Sequence, residues 1–349
     1  MKIHKDLYWL IISPKTLFHA WEIFKSDKRN KPDVITFELD LERNIFDLYR
    51  DLKNGTYKHG PYKGFWIHDP KLRRIHKATV RDRVLHHAIF SVLNPIFEPT
   101  FIPNSFSCRV GKGTHKGMKK IADMVRSVSQ NSTRQCYALK CDIKKFFDSV
   151  DHDILIGILE KKIKDKKVMD LMQEIIESFV AKRPNLFDRR GIPIGNLTSQ
   201  IFANIYMNEF DQFIKHDLKI KHYARYTDDF IIVSTDKTYL ENLINPIKDF
   251  LVKKLCLELH PNKIFITKHN RGVDFLGYVI LPKSIKLRTN TKHRIFRKLK
   301  ENVRRYKNGE ISELTLNSSL QSYLGVLSHA NAYELSQEIQ NKFWFWLNE

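Results

Sequence analysis

The sequence predicts an α+β fold with a central antiparallel sheet and a helical C-terminal region. Three observations carry this prediction. Helix-period and strand-period segments alternate through the middle of the chain. A strand–turn–strand pattern spans Tyr223 to Ser234 around Thr227-Asp228-Asp229. Beyond Leu281 the patterns are helical only.

The elements follow in order. Residues 1–60 read as mainly helical. Ser13-Pro14 opens a helix running to Phe24, with Ser13 as cap and Pro14 at the first position, where its missing N–H costs nothing. Leu41 to Leu52 places Leu41, Ile45, Leu48 and Leu52 on one face and stops at Asn54-Gly55. Residues 61–79 are basic, turn-rich and strand-like. Val80 to Leu93 reads as a helix ending before Pro95. Gln135 to Ile143 is a strand, and a helix begins near Val150 and runs through Leu159. Met169–Phe179, Leu197–Ile214 and Leu240–Leu255 are helical, the last with Pro246 inside it. Leu257–Thr267 and Val273–Leu281 read as strands. Thr291–Tyr306, 312–327 and 332–347 form three terminal helices.

Composition bounds the function. The chain has 349 residues, a formal net charge of +21 and 42% hydrophobic residues. That is enough apolar material for a core, so disorder and fibrous repeats are excluded as the main reading. The excess charge calls for a polyanionic partner, most simply nucleic acid. Between Lys283 and Asn308 stand eleven Lys or Arg and one acid, Glu301, far from the interspersed signs of an ordinary surface. Cys108, Cys136, Cys141 and Cys256 form no C-x-x-C pair and read as buried or semi-buried thiols of a reducing compartment. Trp9 to Ile12 is too short to span a bilayer. A cytoplasmic protein without a membrane partner is expected.

Three carboxylates stand out by context. Asp142 ends an apolar strand, and Asp228 and Asp229 sit at a hairpin tip. Aspartate is a favoured turn residue, so the Asp-Asp pair alone carries no chemistry. If the two segments are sheet neighbours, however, three carboxylates converge and repel unless a hard divalent cation lies between them.

The combination of motifs resembles reverse transcriptases. Asp142-Ile143-Lys144-Lys145-Phe146-Phe147-Asp148 is similar to their first metal-binding motif, and Arg225-Tyr226-Thr227-Asp228-Asp229-Phe230 to their Tyr-x-Asp-Asp box. Gly191 to Gln200 resembles the motif between these two. His260-Pro261-Asn262-Lys263 and Val273-Asp274-Phe275-Leu276-Gly277 resemble the lysine motif and the primer-grip hairpin. Arg73-Arg74-Ile75, Val80 to Val84 and Ser105 to Arg109 resemble fingers motifs. The likeness runs from about 60 to 285. Ile194-Gly195 and Ser199-Gln200 replace the Gln-Gly and Ser-Pro usual in group II intron enzymes. That departure resembles the reverse transcriptases of diversity-generating retroelements. These copy a template-repeat RNA into cDNA mutagenised at adenines, which replaces a variable region.

The resemblance implies a right-hand polymerase: a 1–60 helical extension, 61–135 fingers, 136–281 palm with fingers elements at about 160–200, and a 282–349 three-helix thumb. The chain would end after the thumb, with no maturase or endonuclease domain. Asp142, Asp228 and Asp229 would be catalytic. They and the Ile143 carbonyl would hold two Mg²⁺ ions, with Mn²⁺ as an alternative. Lys71, Arg73, Phe147, Ile194, Gly195, Gln200 and Lys263 would meet the incoming dNTP. Among these Phe147 is the steric gate, placed opposite Phe146 on one strand, and Lys263 is either a general acid or a surface lysine. Arg294, Arg297, Lys298, Arg304 and Arg305 would track the template RNA and cDNA primer duplex. The implied partner is a small basic helical-bundle accessory protein. The rivals are another small bacterial reverse transcriptase, of phage-defence or reduced intron type, and a non-catalytic RNA-binding protein with the same fold.

Overall fold

The computed structural model describes residues 4–69, 71–179 and 189–349. Part of the 160–200 stretch expected to hold fingers elements, 180–188, lies outside the described residues.

The N-terminal region is helical: α1 (Tyr8–Ile12), α2 (Pro14–Lys25), α3 (Pro32–Leu39) and α4 (Leu41–Asn54). The Ser13 hydroxyl accepts the Thr16 amide at 3.2 Å, satisfying one orphan donor of the first turn of α2. α4 ends where Gly55 turns left-handed (φ 71°) and its N–H reaches the Asp51 and Leu52 carbonyls. Ile45, Leu48 and Leu52 are buried, as their spacing predicts. Then come β1 (Lys63–Ile67) and β2 (Arg73–Lys77), an antiparallel hairpin in which every residue of β1 is exposed.

α5 (Val80–Phe97) runs through Pro95 instead of ending before it. The proline leaves only the Ser91 carbonyl without its helical donor, and Ser91 is exposed to water. Continuing the helix buries Phe97, which offsets the lost bond. α6 (Thr114–Val128) and β3 (Tyr137–Asp142) follow. A second correction concerns the aromatic pair. Phe146 and Phe147 do not alternate on a strand; they open a one-turn helix, α7 (Phe146–Ser149). Lys145 adopts φ 47° and breaks the extended run. Phe146 is still buried and Phe147 partly exposed.

α8 (His152–Glu160) is capped by Asp151, whose carboxylate accepts the Asp153 and Ile154 amides. α9 (Lys166–Glu177) and α10 (Leu197–Gln212) follow, the latter passing into a π-helical turn over Phe213–Asp217. β4 (Tyr223–Tyr226) and β5 (Asp229–Ser234) form the expected hairpin, and α11 (Lys237–Leu255) contains Pro246. The Leu257–Thr267 stretch is strand only at β6 (Phe265–Lys268), because a 3₁₀ turn at Pro261–Lys263 interrupts it. Val273–Leu281 is two strands, β7 (Val273–Phe275) and β8 (Tyr278–Ile280), folded at Leu276-Gly277 with φ values of 51° and 87°. β9 (Ile285–Leu287) completes that sheet. The three terminal helices are present as α12 (Thr289–Lys307), α13 (Glu313–Leu327) and α14 (Tyr333–Asn348).

The chain divides into two compact units. The first takes in Met1–Val110, Asp142–Lys221 and Asn245–Asn262; the second Gly111–Cys141, His222–Ile244 and Lys263–Glu349. The first is largely helical around α5 and α10. The second holds a four-stranded sheet of order β4-β5-β3-β6, a three-stranded sheet β7-β8-β9, and the terminal helices. Ile295, Leu299 and Val303 of α12 close a core with Leu316, Leu320, Leu327, Ile339 and Phe343. Each fully buried side chain of this size contributes about 1.5–3 kcal/mol. The architecture is thus the mixed helix and antiparallel sheet that the sequence predicts. Cys136 and Cys141 are buried and Cys256 half-buried, but Cys108, with a positive φ of 52°, is exposed, unlike the expected buried or semi-buried thiol. Among the described residues no helix is long and apolar enough to cross a membrane.

Three histidines of the first unit are held neutral. Burial, reinforced by His59, His87 and Arg83, holds His86 well below its usual 6.5. Burial, then Lys28 and Arg83, lowers His87 to about 4. Burial also lowers His152. The unfolded chain binds more protons than the folded one once the pH drops below 6.5. The stability these groups contribute is therefore complete above that pH and is lost as the pH falls toward 4. Urea unfolding of the first unit's helices should show a lower midpoint at pH 5 than at pH 7; an equal or higher midpoint would contradict this.

Candidate active site

The hairpin that carries Asp228 and Asp229 is built from a two-residue loop. Tyr226 pairs with Asp229, leaving Thr227 and Asp228 as the loop. Thr227 has φ 55°. A tight hairpin needs positive φ at its first loop position to match strand twist, but a β-branched residue adopts it at a cost. The compensation lies behind the turn. Arg225 is fully buried, and its Nη1 donates to the Thr227 carbonyl at 2.9 Å. A buried guanidinium so placed locks the loop carbonyl. Asp228 and Asp229 remain half-buried. By strand alternation Tyr226 and Asp229 share a face of the sheet. The Tyr226 hydroxyl accepts a long hydrogen bond from Thr114 Oγ1, 3.4 Å, at the start of α6.

Sheet order sets β3 beside β5. Asp142 is the last residue of β3, and Asp229 the first of β5. Asp142 is 8% exposed. Its carbonyl accepts the His260 amide at 2.8 Å, and the Lys144 amide donates to the Glu258 carbonyl at 2.9 Å, flanking an antiparallel bridge between Ile143 and Leu259. In such a pair Ile143 directs its own N–H and C=O away from the Leu259 segment. That leaves the Ile143 carbonyl aimed away from this pairing, as a ligand role requires. Among the described residues, no group of three or more His, Cys, Asp or Glu is arranged to hold a metal. The predicted donor set, two or three carboxylates and a carbonyl, is all hard oxygen and suits Mg²⁺, which keeps few protein ligands and completes its shell with phosphates and water.

A second constellation is stitched together by backbone. The Ile192 amide donates to the Phe147 carbonyl and the Gly191 amide to the Val150 carbonyl, both at 2.8 Å. His152 Nε2 donates to the Gly191 carbonyl at 2.7 Å. The His76 amide, in β2, donates to the Ile194 carbonyl at 3.0 Å, and Asn196 Nδ2 to the His76 carbonyl at 3.1 Å. A Cβ on Gly195 would lie 2.7 Å from Ile75 Cγ2. Arg73 shares a hairpin face with Ile75 by alternation. Phe147, Ile194, Gly195 and the Arg73 face of β2 are therefore neighbours. Gln200 is half-buried in the first turn of α10. Lys71 is exposed in the loop between β1 and β2.

Lys263 is half-buried at the end of the 3₁₀ turn leading into β6, which pairs with β3. On α12, Arg297, Arg304 and Arg305 are exposed, and Arg294 and Lys298 half-buried. Arg297 and Arg304 line a cleft of about 560 Å³ with Lys300, Lys307 and Trp346. Sequence reasoning missed Lys300, Lys307 and Trp346, although the first two continue the Arg297–Arg304 stripe at helical spacing. It also gave no role to Arg225, His76 or Asn196.

A family model described as Reverse transcriptase (RNA-dependent DNA polymerase) matches residues 61–280. The chain is 25% identical over 348 residues to Group II intron-encoded protein LtrA of Lactococcus lactis subsp. cremoris, covering 80% of this chain and 57% of that protein. The chain thus spans little more than half the length of that relative. Protein YkfC of Escherichia coli (strain K12) is 26% identical over 319 residues, covering 78% of this chain and 82% of YkfC. An apo telomerase from Candida tropicalis, truncated from its C-terminal domain, superposes with a TM-score of 0.47 and 14% identity over 68% of this chain and 59% of that one.

Gly195 combines φ 114° with the close approach to Ile75, so Gly195→Ala should strain the loop and push β2 away. The expected result is faster hydrogen exchange at the His76 amide with little change in global stability. Unchanged protection of that amide would mean that the loop does not hold β2.

Proposed function

Because the chain belongs to the reverse transcriptase family of RNA-dependent DNA polymerases, we propose that it copies an RNA template into DNA, with Asp142, Asp228 and Asp229 at the reacting centre. The observation that carries this reading is the sheet order, in which the strand ending in Asp142 lies beside the strand beginning at Asp229. Asp142, Asp228 and the Ile143 carbonyl hold two divalent cations, Mg²⁺ or Mn²⁺, with Asp229 close by. When bound, these ions lower the pKa of the primer 3′-hydroxyl and steady the departing pyrophosphate. The protein's own part is position. Arg225 fixes the Thr227 carbonyl and with it the direction in which Asp228 leaves the turn. Arg73, with Lys71, grips the triphosphate through its fork of donors. Phe147, held by Ile192, offers a ring that collides with a ribose 2′-hydroxyl. Lys263 stands ready to protonate pyrophosphate.

The domain reading is likewise a proposal: fingers over 61–135, palm over 136–281 and thumb over 282–349. Arg294, Arg297, Lys298, Arg304 and Arg305 on α12 follow the template–primer backbone. Each phosphate so neutralised adds to the salt dependence of binding.

Within the family we read the retroelement type, in which the cDNA carries errors at template adenines and a small basic helical-bundle protein assists. Ile194 supports this reading. It is half-buried, its carbonyl is taken by His76, and its side chain offers no polar contact to a nascent pair. The names of the relatives favour a second reading, an enzyme of group II intron type. Sequencing cDNA made on a template-repeat RNA, with and without the accessory protein, separates the two.

Two outcomes are expected. Asp142→Asn and Asp228→Asn should each lower dNTP incorporation on an RNA template by about a thousandfold or more while template–primer binding is retained; near-normal incorporation by either would refute the site. Ile194→Gln should lower misincorporation opposite adenine, and an unchanged error spectrum would remove Ile194 from fidelity.

A further inference from the structure

The cleft of about 560 Å³ between α12 and α14 lies wholly within the second unit. Arg297, Lys300, Arg304 and Lys307 line it from α12, and Trp346 stands in it from α14. All four cations are exposed. Its acids are Glu301 and Glu349, and Glu301 already faces Arg304 at 3.5 Å. At about 100° per residue, Lys300 and Lys307 lie roughly 140° around α12 from Arg294 and Arg305, with Arg297 and Arg304 between the two flanks. Ile295, Leu299 and Val303 fill the remaining side and face the core. The basic surface of α12 therefore ends, on one flank only, against an aromatic ring. That ring is braced. Phe296 meets Trp346 edge to face, with centroids 6.5 Å apart. The Lys342 and Lys292 ammonium groups lie 4.7 and 5.7 Å from the Phe296 ring, and Glu338 holds both at 3.0 Å. The Lys300 ammonium lies 6.0 Å from the Trp346 ring, which is only half-buried.

The cations call for phosphate, but phosphate alone has no use for an indole. A duplex shows phosphates on its outside and keeps its base faces stacked within. A single strand offers both at every nucleotide: a phosphate for a lysine and a base face for an aromatic ring. The cleft is of the size that holds a small ligand. Its two carboxylates repel phosphate but can accept from a ribose 2′-hydroxyl, which DNA lacks. We propose that the α12–α14 cleft binds single-stranded RNA, with a base on Trp346 and the neighbouring phosphates on Lys300 and Lys307. The proposal deepens the reading of α12 as a nucleic-acid helix given above and rests on it. The duplex keeps to the flank of Arg294 and Arg305. Arg297 and Arg304 stand between, and an unpaired stretch crosses them into the cleft.

The test compares two labelled probes on the full chain by fluorescence anisotropy: an oligouridine of about eight nucleotides and a blunt RNA–DNA duplex. Trp346→Leu should weaken oligouridine binding about tenfold, the size of one lost base stack, and leave duplex binding within about twofold. Trp346→Phe keeps a ring and should keep most of the affinity. Unchanged oligouridine affinity in Trp346→Leu, or an equal loss on both probes, would overturn the proposal. Trp346→Leu also removes packing from α14, so the exposed lysines supply an independent check. Lys300→Gln with Lys307→Gln should lower the log–log salt slope of oligouridine binding by about 1.4 and leave the duplex slope as it was. An unchanged oligouridine slope would equally overturn the proposal. An oligodeoxyuridine that bound as tightly as the oligouridine would overturn the assignment to RNA. Arg294→Gln with Arg305→Gln separates the proposal from the reading beneath it, since these changes should weaken duplex binding and spare the oligouridine. If the duplex is held as before, the reading of α12 has failed. If the duplex is weakened and Trp346→Leu is silent, only the cleft is wrong.

Discussion

The His76 amide on the Ile194 carbonyl is the interaction on which the placement of the β1–β2 hairpin depends. The β1–β2 hairpin cannot hold itself by burial, since every residue of β1 faces solvent. An isolated two-stranded hairpin is marginal in water. What fixes it is its far end, where His76 and Ile75 meet the loop at Ile194, Gly195 and Asn196. The same loop reaches back to Phe147 and Val150 through the Ile192 and Gly191 amides. One irregular stretch therefore sets the relation between a basic hairpin, an aromatic ring and the first turn of α10. Three of its bonds join backbone to backbone, do not depend on side-chain rotamers and are costly to leave unmade.

Much of this was legible in the sequence, and the limits have physical causes. Ser13-Pro14 and Asn54-Gly55 marked helix ends because capping chemistry is local. The Thr227-Asp228-Asp229 hairpin was legible because its two strands differ sharply from the acids between them. The helix through Pro95 was not, since its continuation depends on the burial of Phe97, a tertiary gain. The α7 turn was hidden because nothing in Lys145 announces a left-handed backbone. The carboxylates of the site could be named from residue type and motif. Arg225, which holds the Thr227 carbonyl, and Asn196, which ties its loop to β2, could not, because their partners are backbone carbonyls that carry no sequence signature.

The charge distribution acquires a division of labour. The net charge of +21 favours a polyanion without saying which. On α12 the buried Ile295, Leu299 and Val303 face the bundle core and leave the basic residues outside. Arg225 is buried beneath the turn that presents Asp228, and Lys140 is drawn toward Asp274 near the strand end that presents Asp142. Exposed cations are thus concentrated on α12, while Arg225 is turned inward onto a backbone carbonyl.

The most direct test of this account is anomalous diffraction from crystals of the chain bound to an RNA template, a chain-terminated DNA primer and an incoming dNTP in the presence of Mn²⁺. Two anomalous peaks are expected at the site that the carboxylates of Asp142 and Asp228 and the Ile143 carbonyl would hold. Strong Mn²⁺ peaks elsewhere, with none at these three residues, would contradict it.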